Sequence, residues 1–192
     1  MSRAEIISLK SWVDLVAVNK PVHMIAGEKM APEFASLEVD RYVIVDASKI
    51  GWGAVIFNKE KKFMKCIKGV WPKGEDYSSS VKAEPQGIRE ALYILRSEWA
   101  GLSVAVLTDH ENLVHASHAL FIHNFLYNRC LAFIEETRTS YKAEIFLYFL
   151  EGLKNNADNI SRGKGLSLQD SIFPKVEGTG LGSALPPPQW MT

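Results

Sequence analysis

The sequence predicts an α/β fold: a mixed five-stranded sheet, three antiparallel strands followed by crossover strands, with helices on both faces. Two observations predict it. RYVIVDAS, GWGAVIFN and KKFMKCIKGVW are consecutive runs rich in β-branched and aromatic residues, separated by glycine-containing or charged turns, and so read as a hairpin-linked meander. The later apolar runs LSVAVLTD and AEIFLYFL alternate with helical stretches, and strands that need a helix to return to the sheet lie parallel and buried.

In order along the chain, residues 1–40 carry an amphipathic stretch, with Ile6, Ile7, Leu9, Trp12, Val13 and Val16 at helical intervals, then a segment punctuated by Pro and Gly. This reads as an adapter or connection before the main domain. The meander follows from Arg41. Ser78, Ser79 and Ser80 form a turn and cap cluster, and Pro85 suits a first helical turn, where its missing N–H has no partner to lose. A helix is expected over about 85–99, with Ile88, Ala91, Leu92, Leu95 and Trp99 on one stripe and Gly101 as its stop. LSVAVLTD is the fourth strand, a helical region runs to about residue 140, and AEIFLYFL is the fifth strand. NNADNISRG reads as a short helix capped by Asn155 or Asn156. The domain is thus bounded at 41–163. Residues 164–192, ending GTGLGSALPPPQWMT, lack periodicity and read as a flexible tail rich in Gly and Pro.

Composition excludes several classes. Of 192 residues, 47% are hydrophobic and 23% charged, which is globular composition. No apolar run approaches the roughly 20 residues that span a bilayer, and MSRAEIISLKSW lacks the apolar core and cleavage site of a secretory signal. No membrane partner is expected. Two cysteines, Cys66 and Cys130, are too few for a disulfide framework, so a reducing, intracellular compartment is expected, cytoplasm and nucleus being indistinguishable. The 22 basic and 22 acidic residues cancel, which argues against electrostatic coating of nucleic acid while leaving room for a local basic patch.

The chemistry is carried by four acids at element ends: Asp46 after VIV, Glu84 at the start of the first helix, Asp109 after VAVLT and Asp158 in the last helix. If the strands bearing Asp46 and Asp109 are neighbours, their carboxylates meet, and like charges that close call for a cation. Mg²⁺ with hard oxygen ligands supplies it, and two such ions about 3.5–4 Å apart serve phosphodiester cleavage. Each acid also has a plain structural reading: Asp109 as a helix cap, Glu84 as a solvated first-turn acid, Asp158 as a first-turn acid favoured by the helix dipole, and Asp46 as the start of an Asx turn toward Ser48 and Gly51. Four acids that one sheet face could gather favour the site.

At these residues the chain resembles a known family. VIVDASKIGWGAVIF, SSVKAEPQGIREAL, VAVLTDHENL and NNADNISRG, spanning residues 42–163, resemble the ribonuclease H domain of retroelement reverse transcriptases. The NNADNISRG ending is similar to that of hepadnaviral polymerases and of tyrosine-recombinase and long-terminal-repeat retrotransposons, and the TDH of residues 108–110 is similar to the retrotransposon form of the third motif. The resemblance implies a ribonuclease H-like fold and an endonuclease that cuts the RNA strand of an RNA–DNA hybrid with two Mg²⁺ or Mn²⁺ ions. It implies that Asp46 bridges both metals, that Asp158 holds the ion activating the attacking water, and that Glu84 and Asp109 hold the leaving-group ion. Glu84 would also lie near the 2′-OH, the group that distinguishes RNA from DNA. It further implies a reverse transcriptase polymerase domain as partner, with WVDLVAVNKP like the connection that follows one.

Ser48, Gly51, Trp52, Gly53, His110, Ser161 and Arg162 are the expected substrate-binding residues. Gly51 and Gly53 leave space for a sugar-phosphate, or serve only the hairpin. Trp52 and Trp71 could pack on sugars, although core burial is commoner. His110 could touch substrate or cap a helix. Lys59, Lys61, Lys62, Lys65 and Lys68 form either a phosphate track or a charged sheet edge, and His115, His118 and His123 make no defensible zinc motif. The sequence departs from many cellular members in lacking a histidine in the loop before Asp158, where Glu151 is a weak substitute. The alternative reading is a domesticated module that keeps the fold for nucleic-acid binding or assembly without activity.

Overall fold

The structure, a computed structural model, describes residues 38–117 and 124–175. The expected adapter up to residue 37, the tail beyond 175, and His118 and His123 lie outside the described residues. Five strands, β1 (Arg41–Ala47), β2 (Gly51–Asn58), β3 (Phe63–Val70), β4 (Ser103–Thr108) and β5 (Glu144–Phe149), form one sheet in the order β3-β2-β1-β4-β5. β1 pairs antiparallel with β2 and β2 with β3, whereas β4 runs parallel to both β1 and β5. This is the predicted mixed sheet. Four α-helices are described: α1 (Ser80–Leu95), α2 (Glu111–Ala116), α3 (Phe125–Tyr141) and α4 (Asp158–Ser161).

The period of two along each strand divides the sheet into two packed faces. Val43, Val45, Ala54, Ile56, Val104 and Val106 meet Ile88, Leu92 and Leu95 of α1 and Cys130 and Ile134 of α3. Tyr42, Ile44, Val55, Phe57, Ala105 and Leu107 face the other way and are covered by Ile160 of α4, with Leu166 and Phe173 beyond it. Each fully buried large apolar side chain contributes about 1.5–3 kcal/mol, so the central strands, apolar on both faces, anchor the sheet. Cys66 and Cys130 are free thiols, the first exposed and the second buried.

Three element boundaries differ from expectation. α1 begins at Ser80, so Pro85 lies inside the helix and not in its first turn. The N–H it lacks would have reached Val81, and the burial of Ala83, Ile88, Leu92 and Leu95 against the sheet outweighs that lost bond. The helical region after β4 holds two described helices, and α3 is capped by Asn124, whose side chain accepts from the Leu126 and Tyr127 amides. Packing also continues past Gly163. Phe173 sits edge-on to Tyr42 at 5.0 Å and to Phe57 at 5.2 Å, and Asn156 Nδ2 donates to the Asp170 and Ile172 carbonyls at 2.8 and 2.7 Å. Residues 170–173 thus pack against the sheet and the loop before α4.

Candidate active site

Because β1 and β4 are parallel neighbours, their carboxyl ends share one sheet edge, and Asp46 and Asp109 are delivered there by buried backbone. Glu84 arrives from α1. That helix lies close because Gly87 has no side chain; a Cβ there would stand 3.1 Å from that of Ala47 and 3.3 Å from that of Trp52. Glu84 Oε1 accepts from the Ala47 amide at 3.2 Å. Asp46, Glu84 and Asp109 each offer a carboxylate oxygen within 4.8 Å of the others.

Asp158, the fourth acid, stands outside this group. Its Oδ1 accepts from Arg162 Nε at 2.8 Å, one turn along, in a pair whose side chains are 41% and 55% exposed. Its charge nonetheless bears on the other three acids.

Burial dominates the electrostatics. Asp46 and Glu84 are only 4% and 5% exposed. Desolvation first, and the neighbouring carboxylates second, push Glu84 up to about 9; desolvation with the charges of Asp109 and Asp158 pushes Asp46 up to about 7 against the pull of the Ser161 hydroxyl. Asp109 is raised for the same first reason. Glu84 Oε2 is buried with no hydrogen-bond partner among the described residues. An unpartnered buried carboxylate oxygen is costly in a protein alone, and three converging oxygens fit a hard divalent cation, whose charge would reverse all these shifts.

Two residues complete the surroundings of Asp46. Asn155 Nδ2 donates to Asp46 Oδ1 at 3.3 Å and to the Val45 carbonyl at 3.2 Å, and its Oδ1 accepts from the Ala157 amide at 3.0 Å. Asn155 is thus more than a helix cap; the N-cap position of α4 is Ala157. The Ser161 hydroxyl donates to Asp46 Oδ2.

The expected substrate contacts are placed as follows. Ser48 turns inward, its hydroxyl donating to the Ser161 carbonyl at 2.7 Å, while its own carbonyl accepts from Trp71 Nε1 at 2.7 Å. The room left by the two glycines is filled by protein: a Cβ on Gly51 would lie 2.2 Å from the Gly69 carbonyl oxygen, and one on Gly53 would lie 2.8 Å from Ile160. Trp52 is a core residue beneath Gly69. The His110 ring is buried and hydrogen-bonded to the Tyr127 hydroxyl at 2.7 Å, and desolvation lowers its pKa. Ser161 is likewise buried, whereas Arg162 is exposed. Of the hairpin lysines, Lys65 pairs with Glu98 at 2.6 Å, Lys59 approaches Glu60 at 3.8 Å, and Lys61 lies over the Phe173 ring. Glu151 pairs with Lys154 at 3.2 Å, and His115 lies 3.6 Å from Glu111.

The architecture has counterparts among solved structures. The N-terminal RNase H domain of a Mycobacterium tuberculosis protein, solved as a fusion with maltose-binding protein, superposes with a TM-score of 0.53 at 17% identity, over 65% of this chain and 92% of that one. The fold is ribonuclease H-like. RNase H1 from Halobacterium salinarum matches with a TM-score of 0.49 at 11% identity, over 65% of this chain and 97% of that one. LC11 RNase H1, crystallised with an RNA/DNA hybrid, matches with a TM-score of 0.48 at 13% identity, over 66% and 95%. No protein-family profile and no curated protein matches the sequence. In this ribonuclease H-like fold the three gathered acids stand at the carboxyl ends of the two central parallel strands and on the helix beside them. Among the described residues no helix is long and apolar enough to cross a membrane.

Proposed function

We propose that the protein hydrolyses the RNA strand of RNA–DNA hybrids. The observation that carries this reading is the convergence of Asp46, Glu84 and Asp109 within 4.8 Å, with a buried Glu84 oxygen left unpartnered, on a ribonuclease H-like sheet. Two divalent ions, Mg²⁺ or Mn²⁺, would when bound supply the positive charge against which a water is activated and a leaving oxygen stabilised. Asp46 and Asp109 would hold them from the strand ends, and Glu84 from α1, where it also meets the 2′-OH side of the hybrid. Asp158 joins this set when Arg162 exchanges its carboxylate for a phosphate of the substrate. That exchange costs little, because an exposed ion pair contributes about 0–1 kcal/mol. The setting in retroelement reverse transcription, with a polymerase domain as partner, is supported by the resemblance of the NNADNISRG ending, of the TDH at residues 108–110 and of the WVDLVAVNKP stretch.

The test is cleavage of a 5′-labelled RNA annealed to DNA, with Mg²⁺, Mn²⁺ or EDTA, by wild type and Asp46→Asn, with RNA and DNA duplexes as controls. Metal-dependent cutting confined to the hybrid's RNA strand and lost in Asp46→Asn is expected. Folded wild type that cuts nothing with either metal would overturn the proposal.

A further inference from the structure

We propose that Ser161 and Asn155 are positioning residues that clamp both oxygens of the Asp46 carboxylate and so set the plane in which it meets a divalent cation. This rests on the metal-site reading above and goes beyond it, because neither residue is a carboxylate: Ser161 acts through Asp46, and Asn155 through Asp46 and through its side-chain hydrogen bond with Asp109.

The clamp has one donor on each oxygen. A terminal carboxyl torsion is broad and roughly two-fold, so an unrestrained Asp46 would rotate freely and turn away from its negative neighbours. Asn155 removes that freedom on one oxygen and Ser161 on the other. The Asn155 amide cannot be flipped. Its oxygen faces the Ala157 amide, which only donates, and its nitrogen faces the Val45 carbonyl, which only accepts. Its nitrogen therefore donates to Asp46.

Ser161 is constrained as tightly. Its Oγ lies within reach of two acceptors, Asp46 Oδ2 and the Asp158 carbonyl at 2.9 Å, yet a hydroxyl has one proton. A charged carboxylate is the stronger acceptor. Its backbone is pinned by Ser48, whose hydroxyl donates to the Ser161 carbonyl at 2.7 Å, and α4 reaches the sheet only because Gly53 carries no Cβ. An ionised carboxylate offers about four lone-pair positions. One donor on each oxygen leaves a second position on each for a cation. Ser161 and Asp158 also lie on the same turn of α4, so the bond that orients Asp46 ties it to the helix carrying the fourth acid.

The competing account is that these bonds only stitch α4 to β1. The two differ in what happens to ion affinity in a protein that remains folded, since removing an outer partner of a ligating carboxylate typically costs 10–100-fold in metal affinity. Mn²⁺ binding to the metal-free full chain would be measured by isothermal titration calorimetry and by loss of the free-ion electron paramagnetic resonance signal. Wild type, Ser161→Ala and Asn155→Ala would be compared, with circular dichroism confirming the fold. Binding weakened about tenfold in folded Ser161→Ala is expected, and likewise in Asn155→Ala, which decides the matter if the serine variant does not fold. Affinities within about threefold of wild type would overturn the positioning role and leave the metal site standing. A folded wild type that binds no Mn²⁺ would overturn the metal site, and the clamp with it.

Discussion

Gly53 faces Asp46 across the β1–β2 ladder, and the side chain it lacks is the space in which Ile160 rests against the sheet. A Cβ at Gly53 would stand 2.8 Å from Ile160 Cβ and 3.0 Å from the Ser161 amide nitrogen, so α4 must lift. Overpacking of this kind costs about 1–3 kcal/mol. Gly53→Ala is therefore expected to lower the denaturant midpoint and to cut hybrid cleavage more than its stability loss explains, because Ser161 leaves Asp46 as the helix moves. An unchanged midpoint with full cleavage would show that the contact is not needed.

The buried acids predict an unusual dependence of stability on pH. In the folded protein Asp46 is raised to about 7 and Glu84 to about 9, above the roughly 4 of exposed carboxyls. A raised acid binds its proton more tightly when folded, so its stabilisation is complete below the unfolded pKa and is lost as pH rises through the folded one. In EDTA the melting temperature should fall between about pH 5 and 9, and Mg²⁺ or Mn²⁺ should restore it most at the alkaline end. Glu84→Gln, which cannot ionise, should flatten the upper part of the fall while abolishing cleavage. A wild-type melting temperature that rises over this range would contradict the assignment.

The parts of this fold legible in the sequence are those fixed by local pattern. VIVD and VAVLTD announce buried strands ending in carboxylates, and their parallel pairing follows from the intervening helix. The clamp on Asp46 was not legible, because Asn155 lies 109 residues away and Ser161 115. Nothing local distinguishes a serine that will meet Asp46 from one that caps a helix or touches substrate. Pro85 misleads for a related reason: its preference for a first turn is a weak local prior, overridden by burial of Ala83, Ile88, Leu92 and Leu95 on the same helix. Phe173 was hidden by its surroundings, a single aromatic in an otherwise aperiodic segment that finds Tyr42 and Phe57 only in three dimensions.

Trp71 ties the β1–β2 turn to the chain beyond β3. Its indole N–H donates to the Ser48 carbonyl at 2.7 Å, and its ring stacks on Tyr77 at 4.0 Å between centroids. Trp71→Phe keeps an aromatic against Tyr77 but drops the hydrogen bond, and is expected to cost about 0.5–1.5 kcal/mol. Trp71→Ala, which loses the stack as well, should cost more. Urea denaturation with a circular dichroism readout checks the order: Trp71→Phe as stable as wild type would show that the hydrogen bond contributes nothing, and equal stability of the two variants that the stack contributes nothing.

Arg162 tests whether one cation serves two partners. It holds Asp158 at 2.8 Å yet remains more than half exposed, so the pair adds about 0–1 kcal/mol and Arg162→Ala should melt close to wild type. If the guanidinium moves to a hybrid phosphate, the same variant should bind hybrid more weakly, with a slope of log affinity against log salt shallower by about 0.7–0.9. Arg162→Lys keeps the charge and should keep the slope, but a point charge replaces the planar fork that suits both carboxylate and phosphate, so affinity should fall part of the way. Filter binding of the hybrid across a salt series, in EDTA to prevent cutting, measures both quantities. A slope identical in wild type and Arg162→Ala would mean that Arg162 stays with Asp158 throughout, and that the fourth acid is neutralised rather than released when the hybrid binds.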